Sequence, residues 1–233
     1  QLLSHHGSEQ TPIALHEHNE AGLAERIVAR LQTGDSLALV SDAGTPLVSD
    51  PGFRLVAAAR AAGIRISPIP GPSALIAALS VAGLPSDRFA FEGFLPAKAG
   101  ARRERLAEFA SEPRTLIFYE SAHRIEDALA DAVAVIGADR PAAIARELTK
   151  LFETVLGGTL AELHARVVAD ADQRKGEFVL LIQGVGGDAD AKLVEGRRVY
   201  AKLIEHLPPS TAAKLAAEIT GAPRKGLYGG DRG

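Results

Sequence analysis

The stretch Ser41-Asp42-Ala43-Gly44-Thr45-Pro46-Leu47-Val48-Ser49-Asp50-Pro51-Gly52 constrains the fold of this chain more than any other segment. It follows an apolar run at 37–40 that reads as a buried strand, and it precedes a helical pattern that begins near Pro51. Two glycines, two prolines and two aspartates therefore sit where a parallel strand delivers its carboxyl end. In open α/β sheets ligands bind just outside such strand ends, and glycine lets the backbone approach them closely. The stretch reads as a cofactor loop.

The surrounding pattern repeats strand and helix. A weak strand signal at 13–16 leads to Asn19, a residue suited to cap a helix whose Leu23, Ile27 and Leu31 share one face. After the strand at 37–41, Asp50 offers a side-chain cap with Pro51 at the first helical position, and Gly63 follows the last turn. A strand at 64–69 then runs into Pro70-Gly71-Pro72-Ser73-Ala74, a second loop of small residues that opens a helix reaching about residue 82. This rhythm predicts a parallel sheet covered by helices. The two loops, leaving neighbouring strands, would border one crevice.

Beyond a joint at 81–88 the order is less regular. Strands are expected at 89–94, 115–119, 142–147, 152–156 and 178–183, with helices at about 101–111, 121–136 and 159–169. Several strands follow one another without an intervening helix, so this sheet is expected to be mixed or partly antiparallel. A glycine-rich linker at 184–188 precedes two short amphipathic helices, 192–207 and 210–220, and a frayed end rich in glycine and charge. The predicted fold class is α/β with two lobes, a parallel sheet in the first and a mixed sheet in the second, plus a small C-terminal helical segment. The corresponding domains are 1–82, 83–185 and 186–233.

Composition narrows the chemistry. The chain has no cysteine, which removes disulfides, thiolate ligands and a cysteine nucleophile. A net charge of −3 disfavours a general nucleic-acid coat, so any RNA contact would rest on local basic patches. No apolar run approaches the ~20 residues that span a bilayer, no signal peptide is visible, and the default location is cytoplasmic. His5, His6, His16 and His18 lie close together, but their spacing matches no helical zinc motif, and no metal is expected. The run from Gly184 to Ala189 formally fits a dinucleotide fingerprint; with no second βα unit after it, the match is read as spurious.

Two polar clusters fall at the ends of expected strands. Phe118-Tyr119-Glu120-Ser121-Ala122-His123-Arg124 gathers an aromatic, an acid, a base and a cation, and Ala145-Arg146-Glu147-Leu148-Thr149-Lys150 repeats the mixture. Each could be a surface ion-pair cluster, although strand ends are where catalytic groups tend to be placed. Basic residues also concentrate around Arg102 and Arg103, at Arg197 and Arg198 with Lys202 and Lys214, and at Arg224 and Lys225. Several such patches along one cleft would suit a phosphate backbone.

In order along the chain, SDAGTPLVSDPG, PGPSALIAALSVAGLP, FEGFLP, FYESAHRI, ARELTKLFE and KGEFVLLIQG resemble the bacterial 16S rRNA cytidine 2′-O-methyltransferases, a branch of the tetrapyrrole (precorrin) methylase superfamily. The resemblance covers roughly residues 1–185. It implies S-adenosylmethionine as methyl donor in a cleft between two α/β lobes, a homodimer, and a cytidine ribose in 16S rRNA or the 30S subunit as acceptor. It also implies donor contacts at Gly44, Thr45, Pro46, Val48, Ser73, Ala74, Tyr119, Ala145 and Gly176. Methyl transfer needs orientation more than covalent chemistry, with a side chain to take the hydroxyl proton. Glu120, His123, Glu147 and Lys150 are the candidates for that role, and Arg102, Arg103, Arg124 and Arg146 for RNA binding.

Family members open with a further strand and a glycine-containing loop that this chain, starting at Gln1 and lacking methionine, is expected to lack. Its first sheet would then miss a central strand. Two other readings stand beside the rRNA enzyme: a tetrapyrrole C-methylase of the same fold, and an RNA-binding assembly factor without activity.

Overall fold

The computed structural model describes residue 5, residue 7, residues 11–16 and residues 18–227. The chain divides into two compact units, Gln1–Ser73 and Ala74–Gly233. The expected frayed end at 228–233 and His6 lie outside the described residues.

In the first unit, helix α1 (Glu20–Gln32) packs against α2 (Phe53–Ala61). Ala24 and Ile27 bury one stripe of α1 against Leu55, with Leu15, Leu23, Leu31 and Ala58 around them. The stripe follows the 3.6-residue period seen in the sequence. Asn19 does not cap α1 through its side chain. It accepts from the His16 amide (2.9 Å) and donates to the Ala14 carbonyl (2.9 Å), bracing the chain ahead of the helix.

The cap expected from Asp50 and Pro51 is also replaced. Helix α2 starts two residues later than expected, after Gly52 at φ 132°. Its free amides are taken by a remote carboxylate: Glu20 Oε1 accepts from Gly52 N (3.1 Å), Arg54 N (2.7 Å) and Leu55 N (3.3 Å). Tertiary contact has overridden the local capping rule.

The parallel sheet expected in this unit is not formed among the described residues. Segments 13–16, 37–41 and 64–69 carry no ladder. Leu37, Val40, Ile66 and Ile69 are exposed. A strand is defined by the neighbour that takes its hydrogen bonds, and apolar content alone supplies no neighbour.

The second unit holds α3 (Ala74–Val81), β1 (Phe89–Phe94), α4 (Ala99–Glu108), β2 (Thr115–Ser121), α5 (Ile125–Ile136), β3 (Pro141–Arg146), β4 (Thr154–Thr159), α6 (Leu160–Ala169) and β5 (Glu177–Ile182). The sheet order is β1-β2-β5-β3-β4, with β1 and β2 parallel and the other pairs antiparallel, so the mixed sheet is present. Both faces of its centre are buried, which explains why β2 and β5 read as continuous apolar runs. On one face Leu116, Phe118, Ile144, Leu180 and Ile182 join Leu106 of α4, Ile125 and Leu129 of α5 and Leu163 of α6. On the other, α3 packs on β2 and β5. Helix α6 starts with a reciprocal cap: Thr159 Oγ1 accepts from Glu162 N (3.2 Å) while Glu162 Oε2 accepts from Thr159 N (2.9 Å).

The linker after β5 is packed hard. A Cβ on Gly184 would lie 2.2 Å from the Pro113 carbonyl oxygen, and Val185 N donates to Glu112 O at 2.9 Å. Glycine stands there for close backbone approach, a packing reason for the fingerprint-like run. Helices α7 (Gly187–Leu203) and α8 (Pro209–Thr220) follow, packed through Ala213, Ala216, Ala222 and Leu227. No helix among the described residues is long and apolar enough to cross a membrane.

Candidate functional site

In the first unit the loop at 41–52 is held by its own polar atoms. Ser41 Oγ lies in donating range of the Ala43 and Gly44 carbonyls (3.1 and 3.2 Å), and Val48 N donates to Thr45 O at 3.3 Å. Thr45 Oγ1 donates to Pro72 O at 2.9 Å and joins this loop to the second one. The juxtaposition expected of the two loops is therefore present, without the parallel strands that were to create it. Leu47 (φ 72°) and Ser49 (φ 60°) adopt the left-handed region. Side chains pay for that conformation, and such strain concentrates at functional loops. Gly44 is exposed, Thr45, Pro46, Val48 and Ser73 are half-buried, and Ala74 is exposed as the first residue of α3.

In the second unit the sheet brings the two polar clusters to one end. Glu120 and Arg146 are both paired with Phe178 of β5, so the carboxyl ends of β2 and β3 emerge at the same end of the sheet, on either side of β5. One step inward, Tyr119 and Ala145 both face Val179 and share one face of the sheet. Tyr119 is half-buried, with its ring edge-on to Phe91 and Phe94 at 4.8 and 5.8 Å. Ala145 is buried. Val179 of β5 stands between them on that row and is buried as well.

The candidate proton acceptors form two separate pairs. Glu120 is buried; its Oε1 accepts from Arg124 Nη2 at 2.9 Å and its Oε2 from the Ser121 amide at 3.0 Å. Burial pushes its carboxyl above the usual range, against the pull of that amide and of Arg124. His123 beside it is exposed. Glu147 (φ 50°) accepts from Lys150 Nζ (2.8 Å) and from Glu177 N (3.0 Å), and Lys150 also donates to Glu177 Oε2 at 2.8 Å. The Lys150 hydrogen bond holds Glu147 below the usual carboxylate range, and the same bond holds Lys150 above the usual lysine range. Lys150 is thus kept as the ammonium, unlike the neutral amine that proton acceptance requires.

Gly176 (φ 95°) belongs to the same corner. A Cβ there would fall 2.5 Å from Glu147 Cγ and Cδ, so glycine admits the Glu147 side chain. A small cleft of about 230 Å³ opens beside it, lined by Arg146, Glu147, Phe152, Asp172, Lys175 and Gly176.

Most of the arginines expected to bind RNA are committed internally. Arg102 is 3% exposed, with Nε donating to Asp131 at 2.7 Å. Arg146 is buried and donates to the carbonyls of Asp172 (2.9 Å) and Lys175 (3.2 Å) and to Thr154 Oγ1 (3.1 Å). Arg124 is half-buried between Glu120 and the Leu95 carbonyl. Arg103 is exposed. The Nε atoms of Arg124 and Arg146 have no hydrogen-bond partner, but the terminal nitrogens named above are committed to acceptors within the protein, which is how a buried charged side chain becomes structural. Sequence reasoning missed Glu20 altogether, since a residue that opens one helix gives no local sign of capping another.

Residues 3–164 match the family Tetrapyrrole (Corrin/Porphyrin) Methylases. The chain is 68% identical to the Ribosomal RNA small subunit methyltransferase I of Xylella fastidiosa strain Temecula1, over 99% of its own length and 84% of that protein's. The chain belongs to the ribosomal RNA small subunit methyltransferase I family. The Escherichia coli O157:H7 and Pseudomonas aeruginosa proteins of that name are 52% and 54% identical, each over 97% of this chain and over 79% and 81% of their own lengths. Family membership extends to the C-terminal helices, because residues 190–229 match the RsmI C-terminal HTH domain.

The fold is shared with more distant methyltransferases. The methyltransferase CobJ superposes with a TM-score of 0.52 at 22% identity, over 74% of this chain and 78% of that one. The uroporphyrin-III-C-methyltransferase of Thermus thermophilus gives 0.50 at 21%, over 78% and 76%. The ARELTK and YESAHR segments lie at the sheet end described above. Among the described residues, no group of three or more His, Asp and Glu side chains is placed to hold a metal ion.

Proposed function

We propose that this chain transfers a methyl group from S-adenosylmethionine to the ribose 2′-hydroxyl of a cytidine in 16S rRNA, acting in the cytoplasm as a homodimer on the rRNA or the 30S subunit. High identity to proteins named for ribosomal RNA small subunit methylation, extending through the C-terminal helices, is the observation that carries this reading.

Gly44, Thr45, Pro46, Val48 and Ser73 of the first unit are proposed donor-binding residues, and Ala74, Tyr119, Ala145 and Gly176 of the second are proposed separately on the resemblance. S-adenosylmethionine supplies an electrophilic methyl on a sulfonium, so the protein's task is to orient the acceptor hydroxyl. Tyr119 offers an aromatic surface at the carboxyl end of β2. Of the four residues considered for the hydroxyl proton, Glu120 is enclosed, Lys150 is held as the ammonium, and Glu147 is a carboxylate made less basic by the Lys150 hydrogen bond on its Oε1. His123 is exposed, and it is the acceptor in this reading. Contact with the rRNA backbone falls to Arg103 and to exposed Lys202 and Lys214 on α7 and α8 rather than to Arg102 or Arg146.

The test is incubation of the protein with labelled S-adenosylmethionine and, separately, unmethylated 30S subunits, naked 16S rRNA and a precorrin. Label is expected on a cytidine ribose of 16S rRNA. Label confined to the precorrin overturns the proposal.

A further inference from the structure

Glu20 is a buried acid that the chemistry above leaves unused. It is 5% exposed. One of its oxygens, Oε1, accepts from Gly52 N at 3.1 Å, Arg54 N at 2.7 Å and Leu55 N at 3.3 Å. An ionised carboxylate withdrawn from water is costly unless it is hydrogen-bonded, and three amide donors offset that cost. They include amides that a helix leaves unpaired in its first turn. The carboxylate therefore fastens the start of α2 to the start of α1.

What it fastens is the end of the 41–52 loop. Leu47 and Ser49 hold left-handed backbone there, a conformation that persists only when the surroundings over-determine it. Thr45 Oγ1 fixes the early part of the loop on Pro72, and Glu20 fixes its last residue. Between the two, Leu47 folds over Gly52: a Cβ on Gly52 would stand 3.0 Å from both Leu47 Cδ1 and Leu39 Cδ2. Glu20 is delivered from a packed element, since Ala24 and Ile27 of the same helix bury against Leu55. Such support from a rigid element is what a binding loop needs to keep one shape.

We infer that Glu20 is a positioning residue of the methyl-donor site: through the Gly52, Arg54 and Leu55 amides it sets the shape of the 41–52 loop and thereby the affinity for S-adenosylmethionine. The inference rests on the assignment of that loop to the donor made under Proposed function.

The test compares the unaltered chain with E20Q and E20A. Calorimetric titration measures donor affinity, amide hydrogen exchange reports on residues 52–55, and initial rates with 30S subunits give each KM and kcat. E20A removes the acceptor and is expected to weaken donor binding about ten-fold. E20Q keeps a neutral acceptor oxygen and is expected to weaken it about three-fold. In both, the KM for S-adenosylmethionine rises while kcat at saturating donor and the KM for the subunit stay near those of the unaltered chain, and the 52, 54 and 55 amides exchange faster. A role in folding alone would lower kcat with the folded fraction and leave the donor KM in place. Donor affinity unchanged in both variants overturns the inference; if E20A does not fold, E20Q decides. Failure of the unaltered chain to bind the donor removes the loop assignment and this inference together. Binding by the unaltered chain with no change in the variants removes only the inference.

Discussion

In the unit Ala74–Gly233 the backbone of five strands is satisfied by one continuous ladder, whereas in Gln1–Ser73 the described backbone pairs inside two helices and with a few side chains reaching across loops. A ladder spreads positional control over many equivalent bonds, so no one side chain decides where a strand end lies. Where the ladder is absent, single groups such as Glu20 and Thr45 carry the same burden. Loop geometry in the first unit should therefore respond sharply to single substitutions that a sheet end would tolerate.

The widest break in this comparison comes from the cores. Leu106 is fully buried in a large cluster, and L106A is expected to cost about 2–5 kcal/mol of the second unit's stability. Leu55 sits in a small cluster with half-exposed neighbours that can close over a void, so L55A should cost about 2 kcal/mol or less. Hydrogen exchange on both variants checks this. Equal losses, each spread over the whole chain, would show that the units do not open separately.

A smaller effect sharpens the role of single side chains. T45V removes the hydroxyl that donates to Pro72 O while keeping the shape, at an expected cost of about 1 kcal/mol, read in a denaturant titration of the first unit. Faster exchange should be confined to the two loops it joins.

The smallest effect is electrostatic and separates the two polar clusters by sign. Lys150 holds the folded Glu147 carboxyl below its unfolded value, so this contribution is present above the ordinary carboxylate range and is lost as pH falls through the depressed value. Lys150 is half-exposed, so the contribution is small, and E147Q should remove it. Burial raises the folded Glu120 carboxyl, so its contribution runs the other way. Stability falls as pH rises from the ordinary carboxylate range through the raised value, and E120Q should flatten that limb. Thermal melts of both variants across acidic pH test the opposition.

These contrasts also explain what could be read in advance. The five strands of the second unit were legible to within a few residues because each run there meets a ladder partner, on both edges for β2, β5 and β3 and on one for β1 and β4. The runs at 37–40 and 64–69 look the same on paper, yet Val40 and Ile69 are exposed, because composition does not report whether a neighbour exists. The joining of the 41–52 and 70–74 loops was expected from neighbouring parallel strands, yet it is made by the Thr45 hydroxyl on Pro72 O. The burial of Arg102 and Arg146 was not, since a charged residue is surface-lying by default and its acceptors come from elements far along the chain. Glu20 was hidden for the same reason: its donors lie 32 to 35 residues away.

The junction at Gly184 fixes more than a distance. With that glycine pressed on Pro113 and Val185 bonded to Glu112, the chain enters α7 from a clamped starting point. Each residue of an α-helix advances about 100° around its axis. Adding or removing one residue after the clamp would therefore turn the face bearing Arg198 and Lys202 by more than a quarter of a revolution, without altering a side chain. The phase of the C-terminal helices is a property of linker length, and a one-residue change there would re-aim them as a keyway re-aims a shaft.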